Sequence, residues 1–468
     1  LKNKKGAEKM RLILEFQKWL LGILIYTALL CSRRLTKRGL LVYLTFLRLV
    51  ARDPVYKKSL KEAQEKIKKG AVWAEEILKL LKNLNRRYFR LIANLTVYAV
   101  IWGANKRKYI QKKIGFYPPT FLVISPTMKC NLRCVGCYAN SYPKEELDKE
   151  TIERVIKEAN DLGIYFFVIS GGEPFLYRPL VSIAKKYRTS VFHVFTNGML
   201  LNSHYQVFEN GRFKTSIDLL LEAGNMIPVI SVEGGETETD NRRGKGTFKR
   251  IMETMDELKK RGIPFGFSLT HTTLNDHIFR SDEFIDCVIR KGAYFGWFFQ
   301  YIPIDENPDL NLVPTPEQRE NRYFTIRRWR VEKPIVIWDF WNDGPLVNGC
   351  IAASRYLHIA SQGNVEPCVF CHFAQDNIKE KSLLEILQSP FFMKIKRLQP
   401  YKDPDETQPN LLRPCLVIDH PEKLRKILEE DKTIYPTCHP SILSEEVKEY
   451  LNKLSKEWKS KATILWGS

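Results

Sequence analysis

The chain of 468 residues is long enough for more than one domain, and its 44% hydrophobic content is that of a folded protein. Its net charge of +21 is lopsided: residues 1–117 hold 28 Lys and Arg against 7 Asp and Glu, while the remainder is balanced at 46 of each. No Gly-x4-Gly-Lys-Ser/Thr loop and no Gly-x-Ser-x-Gly elbow is present, so NTPase and α/β-hydrolase chemistry have no residues to carry them.

Residues 1–117 read as helical throughout, with apolar stretches at Trp19–Cys31, Leu40–Leu47 and Leu91–Asn105 separated by Lys/Arg clusters. None reaches the ~18–20 uncharged residues that a spanning helix needs. Between them Lys57–Leu84 is charged and amphipathic, with Ile67, Val72, Trp73, Ile77, Leu78, Leu80 and Leu81 as its apolar side. Helices that are apolar on one side and rimmed with bases suit the plane of an anionic bilayer, so the region is expected to be membrane-associated. The plainer alternative is a helical cap on the catalytic domain with a solvated basic face. A nucleic-acid surface is a third, because Arg86, Arg87, Tyr88, Phe89 and Arg90 interleave bases and aromatics. The run Trp19–Cys31 leads into Ser32-Arg33-Arg34 and not into a small-residue cleavage site. The expected setting of the ten cysteines is therefore reducing and cytoplasmic, at the inner face of the membrane.

After Tyr117-Pro118-Pro119, short apolar strands alternate with helical periodicity: Phe121–Ser125, Phe166–Ser170, Phe192–Thr196, Ile227–Ser231, Phe265–Leu269 and Gly296–Tyr301. Six βα units predict an α/β fold, a partial (β/α)6 TIM-like barrel over 118–335. The α-helical region 1–117 precedes it, and 336–468 forms a small cluster-binding extension with C-terminal helices. In such barrels the chemistry lies at the C-terminal ends of the strands.

Cys130, Cys134 and Cys137 follow the first strand with the spacing Cys-x3-Cys-x2-Cys. Three thiolates can hold three irons of a four-iron cluster and leave the fourth open; a zinc knuckle is the bland alternative. The second strand is followed by Ser170-Gly171-Gly172-Glu173-Pro174, where two glycines permit close backbone approach and a carboxylate can accept from an ammonium. The two segments together resemble the cluster loop and methionine-binding turn of the radical S-adenosylmethionine (SAM) superfamily.

The resemblance implies a [4Fe-4S] cluster with SAM chelated at its open iron, reductive cleavage of the sulfonium, and a 5′-deoxyadenosyl radical that abstracts hydrogen from an unactivated carbon. It also implies SAM contacts from Gly171, Gly172, Glu173, Pro174, Asn197, Ser231 and Glu233, with Arg243 pairing bidentately with the SAM carboxylate. An electron donor such as ferredoxin or flavodoxin is an implied partner. The sequence departs from the family at Gly136, where an aromatic residue commonly packs near the adenine; Tyr138 or Tyr301 is expected to fill that space.

Downstream, Cys350 and Cys368 flank a hairpin expected over Tyr356–Ala360 and Val365–Pro367, turning at Gln362-Gly363-Asn364. This resembles the half-motif that begins SPASM and Twitch extensions. The further cysteine run of a full SPASM domain is missing, so one auxiliary [4Fe-4S] cluster is expected, with Cys415 as third ligand. The fourth is Cys371, Cys438 or a non-cysteine group, with Cys371 preferred for its local spacing. Cys31 and Cys287 sit in apolar helical patterns as small hydrophobes.

The basic, apolar N-terminal region and the single auxiliary cluster together point to a membrane-lipid acyl chain as substrate, for carbon–carbon coupling or a related modification. The overall plan resembles radical SAM enzymes of membrane-lipid modification, with interfacial helices beside the barrel mouth giving access. The alternatives are a SPASM/Twitch-type peptide maturase, for which no winged-helix pattern is seen in 1–117, and a nucleic-acid-modifying enzyme, which is not favoured.

Overall fold

The computed structural model describes residues 36–50, 54–70, 72–202, 204–209 and 212–467. The stretch Trp19–Cys31, with Cys31 itself, lies outside them. Five α-helices open the described chain: α1 (Lys37–Val50), α2 (Pro54–Lys68), α3 (Val72–Asn83), α4 (Phe89–Asn94) and α5 (Gly103–Ile114). A π-helical segment, Leu95–Trp102, joins the last two. Among the described residues no helix is long and apolar enough to cross a membrane.

The strands that follow are β1 (Leu122–Ile124), β2 (Phe166–Ile169), β3 (Val191–Thr196), a hairpin of β4 (His204–Glu209) and β5 (Arg212–Thr215), β6 (Met226–Ser231), β7 (Gly266–His271), β8 (Phe295–Gln300) and β9 (Val336–Asp339). Five short strands complete the set, β10 (His358–Ile359), β11 (Asn364–Glu366), β12 (Phe373–Ala374), β13 (Asp376–Asn377) and β14 (Tyr435–Pro436), the last pairing antiparallel with β12. One ten-stranded sheet runs β13-β11-β10-β1-β2-β3-β6-β7-β8-β9. Pairing is parallel from β10 through β9 and antiparallel in β10-β11-β13. All six expected strands form, as the core of a partial TIM-like barrel. The sheet runs on past residue 335, because β9 pairs with β8 and β10 returns beside β1. The hairpin β4–β5 and the strand β9 have no counterpart in the sequence reading; β9 is only four residues long.

Local chemistry sets the crossovers. In helix Lys149–Asp161 the Asp148 side chain accepts from Thr151 N at 2.7 Å, and Ile152, Val155, Ile156 and Ala159 form the buried face. Alternation along the strands places Phe195, Trp297 and Phe299 inside the barrel. Phe267 and Phe298 point outward instead, onto Phe279, Phe284 and Trp329 of the covering helices.

The N-terminal helices close the barrel at the N-terminal ends of its strands. Asn85 N donates to Gly262 O at 2.8 Å, just before β7; Tyr88 Oη donates to Met226 O at 3.1 Å, at the start of β6. Arg107 Nη1 donates to Gly163 O at 2.6 Å, just before β2. The cysteines lie at the other end, beyond the C-terminal ends of β1 and β2. The helices therefore do not stand beside the mouth, contrary to the access argument for a lipid substrate. Their buried polar bonds commit them to the opposite pole.

Candidate active site

The loop carrying Cys130, Cys134 and Cys137 packs directly on the glycine pair after β2. Gly172 N donates to Thr127 O at 2.9 Å and Glu173 N to Lys129 O at 2.8 Å. A Cβ at Gly171 (φ +110°) would lie 2.3 Å from Thr127 O, and one at Gly172 2.1 Å from Lys129 O. Only glycine fits there.

Glu173 turns inward. Its Oε1 accepts from Thr196 Oγ1 at 2.8 Å and Phe175 N at 3.1 Å, and its Oε2 from Asn197 N at 2.8 Å. Burial pushes its carboxyl up to about 7 against the pull of these bonds. The side chain is 0% exposed, and it ties β2 to the end of β3. Pro174 opens the buried 3-10 turn Pro174–Leu176 that Glu173 caps.

Asn197, at the end of β3, donates from Nδ2 to Asn131 Oδ1 at 2.8 Å and stands 3.8 Å from Cys130 Sγ. Ser231 Oγ lies 3.1 Å from Ser268 Oγ on the cavity wall.

Glu233 is fully buried. Its Oε1 takes Arg242 Nη1 at 2.5 Å and Arg243 Nε at 2.8 Å and Nη2 at 2.5 Å, and its Oε2 accepts from Thr270 N at 3.0 Å. Burial opposes its charge, but the two guanidiniums prevail and hold the carboxyl below its ordinary range. Glu233 orients two arginines through Oε1, and its Oε2 holds the backbone of β7. The Nε/Nη2 edge of Arg243 is occupied by Glu233, which leaves Nη1, 4.0 Å from Cys134 Sγ, facing the cysteine loop. Arg242, also on the cavity wall, was missed; its adjacency to Arg243 was the available signal.

The space beside Gly136 is filled from β8's end. A Cβ at Gly136 (φ +64°) would lie 2.6 Å from Tyr301 Cε2, and Tyr301 Oη donates to Asp305 Oδ2 at 3.0 Å. Tyr138 faces the other way, with its hydroxyl 3.0 Å from Ser170 Oγ and its ring edge-on to Phe370.

Cys350, Cys368, Cys371 and Cys415 come together across the extension. Cys371 N donates to Cys368 O at 3.1 Å, and Cys415 N to Asp419 Oδ2 at 3.0 Å. Burial, then the charges of Asp419 and Cys350, push Cys415 up to about 12; burial, then Cys368, Glu366 and the other two thiols, hold Cys371 well above its ordinary value. Four clustered thiols, with Cys368 and Cys371 buried and Cys350 and Cys415 half-buried, suit a cationic metal centre such as an iron–sulfur cluster. Among the described residues no three Cys, His, Asp or Glu are gathered closely enough for a single metal ion.

Cys438 is engaged elsewhere, with its Sγ 3.0 Å from His372 Nδ1 and its side chain beside Met128, Ala139, Tyr142 and Ala360. Cys371, next to Cys368, is the cysteine placed nearest that set. Cys287 packs against the core as a small hydrophobe.

Two cavities serve the two cysteine sets. One of about 190 Å³ is lined by Cys130, Cys134 and Cys137; another of about 330 Å³ by Cys350, Cys368 and Cys415. They share Phe121, Trp297, Phe340, Tyr356 and Phe370 as walls, so the two cavities adjoin along one aromatic lining, here called the corridor.

A model of the radical SAM superfamily matches residues 124–284, and one of an iron–sulfur cluster-binding domain, SPASM, matches residues 350–416. The chain is similar to the AdoMet-dependent heme synthase of Methanosarcina barkeri, 26% identical over 321 residues, which are 62% of this chain and 86% of that protein. It is also similar to the PqqA peptide cyclase of Rhizobium meliloti, 27% identical over 298 residues, 58% of this chain and 73% of that one. The crystal structure of Streptococcus suis SuiB bound to S-adenosylmethionine shares the fold, with a TM-score of 0.52 at 18% identity over 77% of this chain and 84% of that one. A radical SAM domain binds a [4Fe-4S] cluster with SAM, and a SPASM domain binds auxiliary clusters; both donor sets found here fit those groups. The chain carries a radical SAM domain over residues 124–284 and, after it, an iron–sulfur cluster-binding SPASM domain over residues 350–416.

Proposed function

We propose that the chain is a maturase that removes a hydrogen atom from an unactivated carbon of a peptide substrate, with an apolar side chain held between its two cysteine centres. The carrying observation is the corridor: five aromatic walls common to both cavities favour an apolar group and exclude water from a radical. A relative named as a peptide cyclase supports a peptide over other apolar substrates.

When bound, the cluster and SAM supply the reductive cleavage and the hydrogen-abstracting radical. The chain's own residues orient and enclose. Glu233 fixes Arg242 and Arg243 at the loop of Cys134, Gly171 and Gly172 let the backbone close on that loop, and Tyr301 covers Gly136. An electron donor of the ferredoxin or flavodoxin type and a cytoplasmic setting complete the proposal.

A lipid acyl chain is the second reading, because the same walls suit hydrocarbon. Against it stands the placement of the helices at the far pole. Among the described residues no strand precedes β1, so peptide recognition is assigned to the corridor and its rim. Nucleic acid is disfavoured, since Arg86, Arg87 and Arg90 lie at that far pole too.

The test is anaerobic turnover of reconstituted enzyme with SAM, reductant and side-chain-deuterated peptides encoded beside its gene. Deuterium in 5′-deoxyadenosine together with a new peptide mass is expected. Turnover with deuterated lipid extract and none with peptide overturns the reading in favour of the lipid.

A further inference from the structure

The helical pole opposite the cysteines has an outer face that the chemistry above does not use. A groove of about 280 Å³ there is lined by Arg86, Arg87 and Arg90 from one helical turn and by Arg188 from the loop before β3. All four are exposed, and among the described residues none lies within ion-pair distance of a carboxylate. The acidic residue in the groove, Glu222, is already held by Lys185 at 2.5 Å and Lys214 at 2.6 Å. The surface is therefore strongly positive.

On the same pole, α1 presents an apolar stripe. Val42, Phe46 and Leu49, spaced i, i+4 and i+7, are 69%, 39% and 74% exposed, while Leu40 and Leu47 are buried on its inner side. The position of α1 is tied to the groove. Tyr43 Oη lies 3.4 Å from Thr96 Oγ1, and Asn94, two residues earlier, lines the arginine groove. The sequence preceding α1, outside the described residues, includes the apolar run Trp19–Cys31 followed by Arg33 and Arg34.

We propose that this pole is a docking surface for an anionic phospholipid bilayer, with the four guanidiniums at headgroup phosphates and Val42, Phe46 and Leu49 in the interface. The bilayer holds the protein by the closed end of the barrel. The corridor then opens toward water, and a substrate reaches it from solution. Docking does not depend on which substrate the corridor takes.

The test is flotation of the full chain with vesicles of phosphatidylcholine alone and of phosphatidylcholine mixed with phosphatidylglycerol. Binding is expected only with phosphatidylglycerol, and to weaken as salt rises. Two variant sets separate the parts: Arg86→Gln/Arg87→Gln/Arg90→Gln/Arg188→Gln, and Val42→Ser/Phe46→Ser/Leu49→Ser. Each is expected to lower partitioning at least about tenfold at unchanged iron content and melting temperature.

A fluorophore on Leu49→Cys should be quenched by brominated lipid, and one on Leu346→Cys, at the corridor rim, should not. Equal binding to neutral vesicles overturns the proposal, as do variants that bind like the parent, which would assign the membrane contact to residues 1–35. Quenching at position 346 alone, or concentration-dependent self-association that the serine variants abolish without vesicles, overturns it equally.

Discussion

The phenolic hydroxyl of Tyr142 donates to Glu366 Oε1 at 2.7 Å, joining the segment that follows Cys137 to the strand that leads into Cys368. Glu366 gathers further partners. Its Oε2 lies 2.6 Å from His358 Nδ1, whose Nε2 is 2.7 Å from Ser125 Oγ at the end of β1, and Thr437 Oγ1 donates to its Oε1. Ser125, His358 and Glu366 are each 0% exposed. One buried carboxylate thus braces both cysteine centres.

Replacing Glu366 with Ala leaves three buried donors without an acceptor and is expected to cost about 3–5 kcal/mol and much of the auxiliary iron. Gln should be far milder. Its amide oxygen can accept from Tyr142 and Thr437, and its NH2 can donate to His358 Nδ1 once the ring adopts its other tautomer. Thermal melts and iron and sulfide analysis of the two variants check this; equal losses in both would show that the charge, and not the bracing, is what matters.

Cys371→Ser is expected to lower total iron by about half, and Cys438→Ser to leave it intact. The reasons are positional: Cys371 shares a buried cluster with Cys350, Cys368 and Cys415, whereas Cys438 lies against His372. Iron content with absorption spectra decides between them, and the reverse pattern would make Cys438 the ligand.

Gly136→Ala puts a methyl group 2.6 Å from the Tyr301 ring at a φ of +64°. The ring is held by Asp305, so the loop must give. The expected result is SAM affinity weaker by about tenfold or more with auxiliary iron retained, since the strain, on the order of 1–2 kcal/mol from the backbone alone, falls on the loop of Cys130, Cys134 and Cys137. Equilibrium SAM binding measures it.

His193 sits inside the barrel between Phe166 and Phe295, with ring centroids 4.7 and 5.1 Å away, and its Nδ1 has no hydrogen-bond partner. Burial lowers its pKa from 6.5 to about 3. The unfolded chain therefore takes up this proton first as pH falls, so the neutral ring's stability is fully present above pH 6.5 and is lost progressively down to about 3. The loss is on the order of several kcal/mol over the window. His193→Phe should remove this part of the acid sensitivity while keeping the ring packing. Denaturant melts from neutral to acidic pH would show a flatter profile for the variant, and an unchanged profile would place the acid-labile group elsewhere.

Much of the site was legible because its signals are local. Cys130, Cys134 and Cys137 are three ligands within eight residues, and Gly171 and Gly172 follow a strand whose apolar run is plain in the sequence. The hairpin around Gly363 was equally readable from its turn residues, and Gly363 has a φ of +94°. Less legible was the direction of the acidic side chains. Glu173 and Glu233 lie in the right segments, yet both face inward onto partners on neighbouring strands.

The residue order by itself determined the chemistry and the strand-and-helix alternation, since both depend on spacings of a few positions. Only the tertiary structure decided that Cys438 packs on His372 while Cys371 lies with Cys368, that Glu366 braces both centres, and that the basic helices cap the pole away from the cysteines. Each of these depends on burial and on contacts between residues far apart in the chain. Local spacing leaves such contacts open, and packing of the sheet closes them.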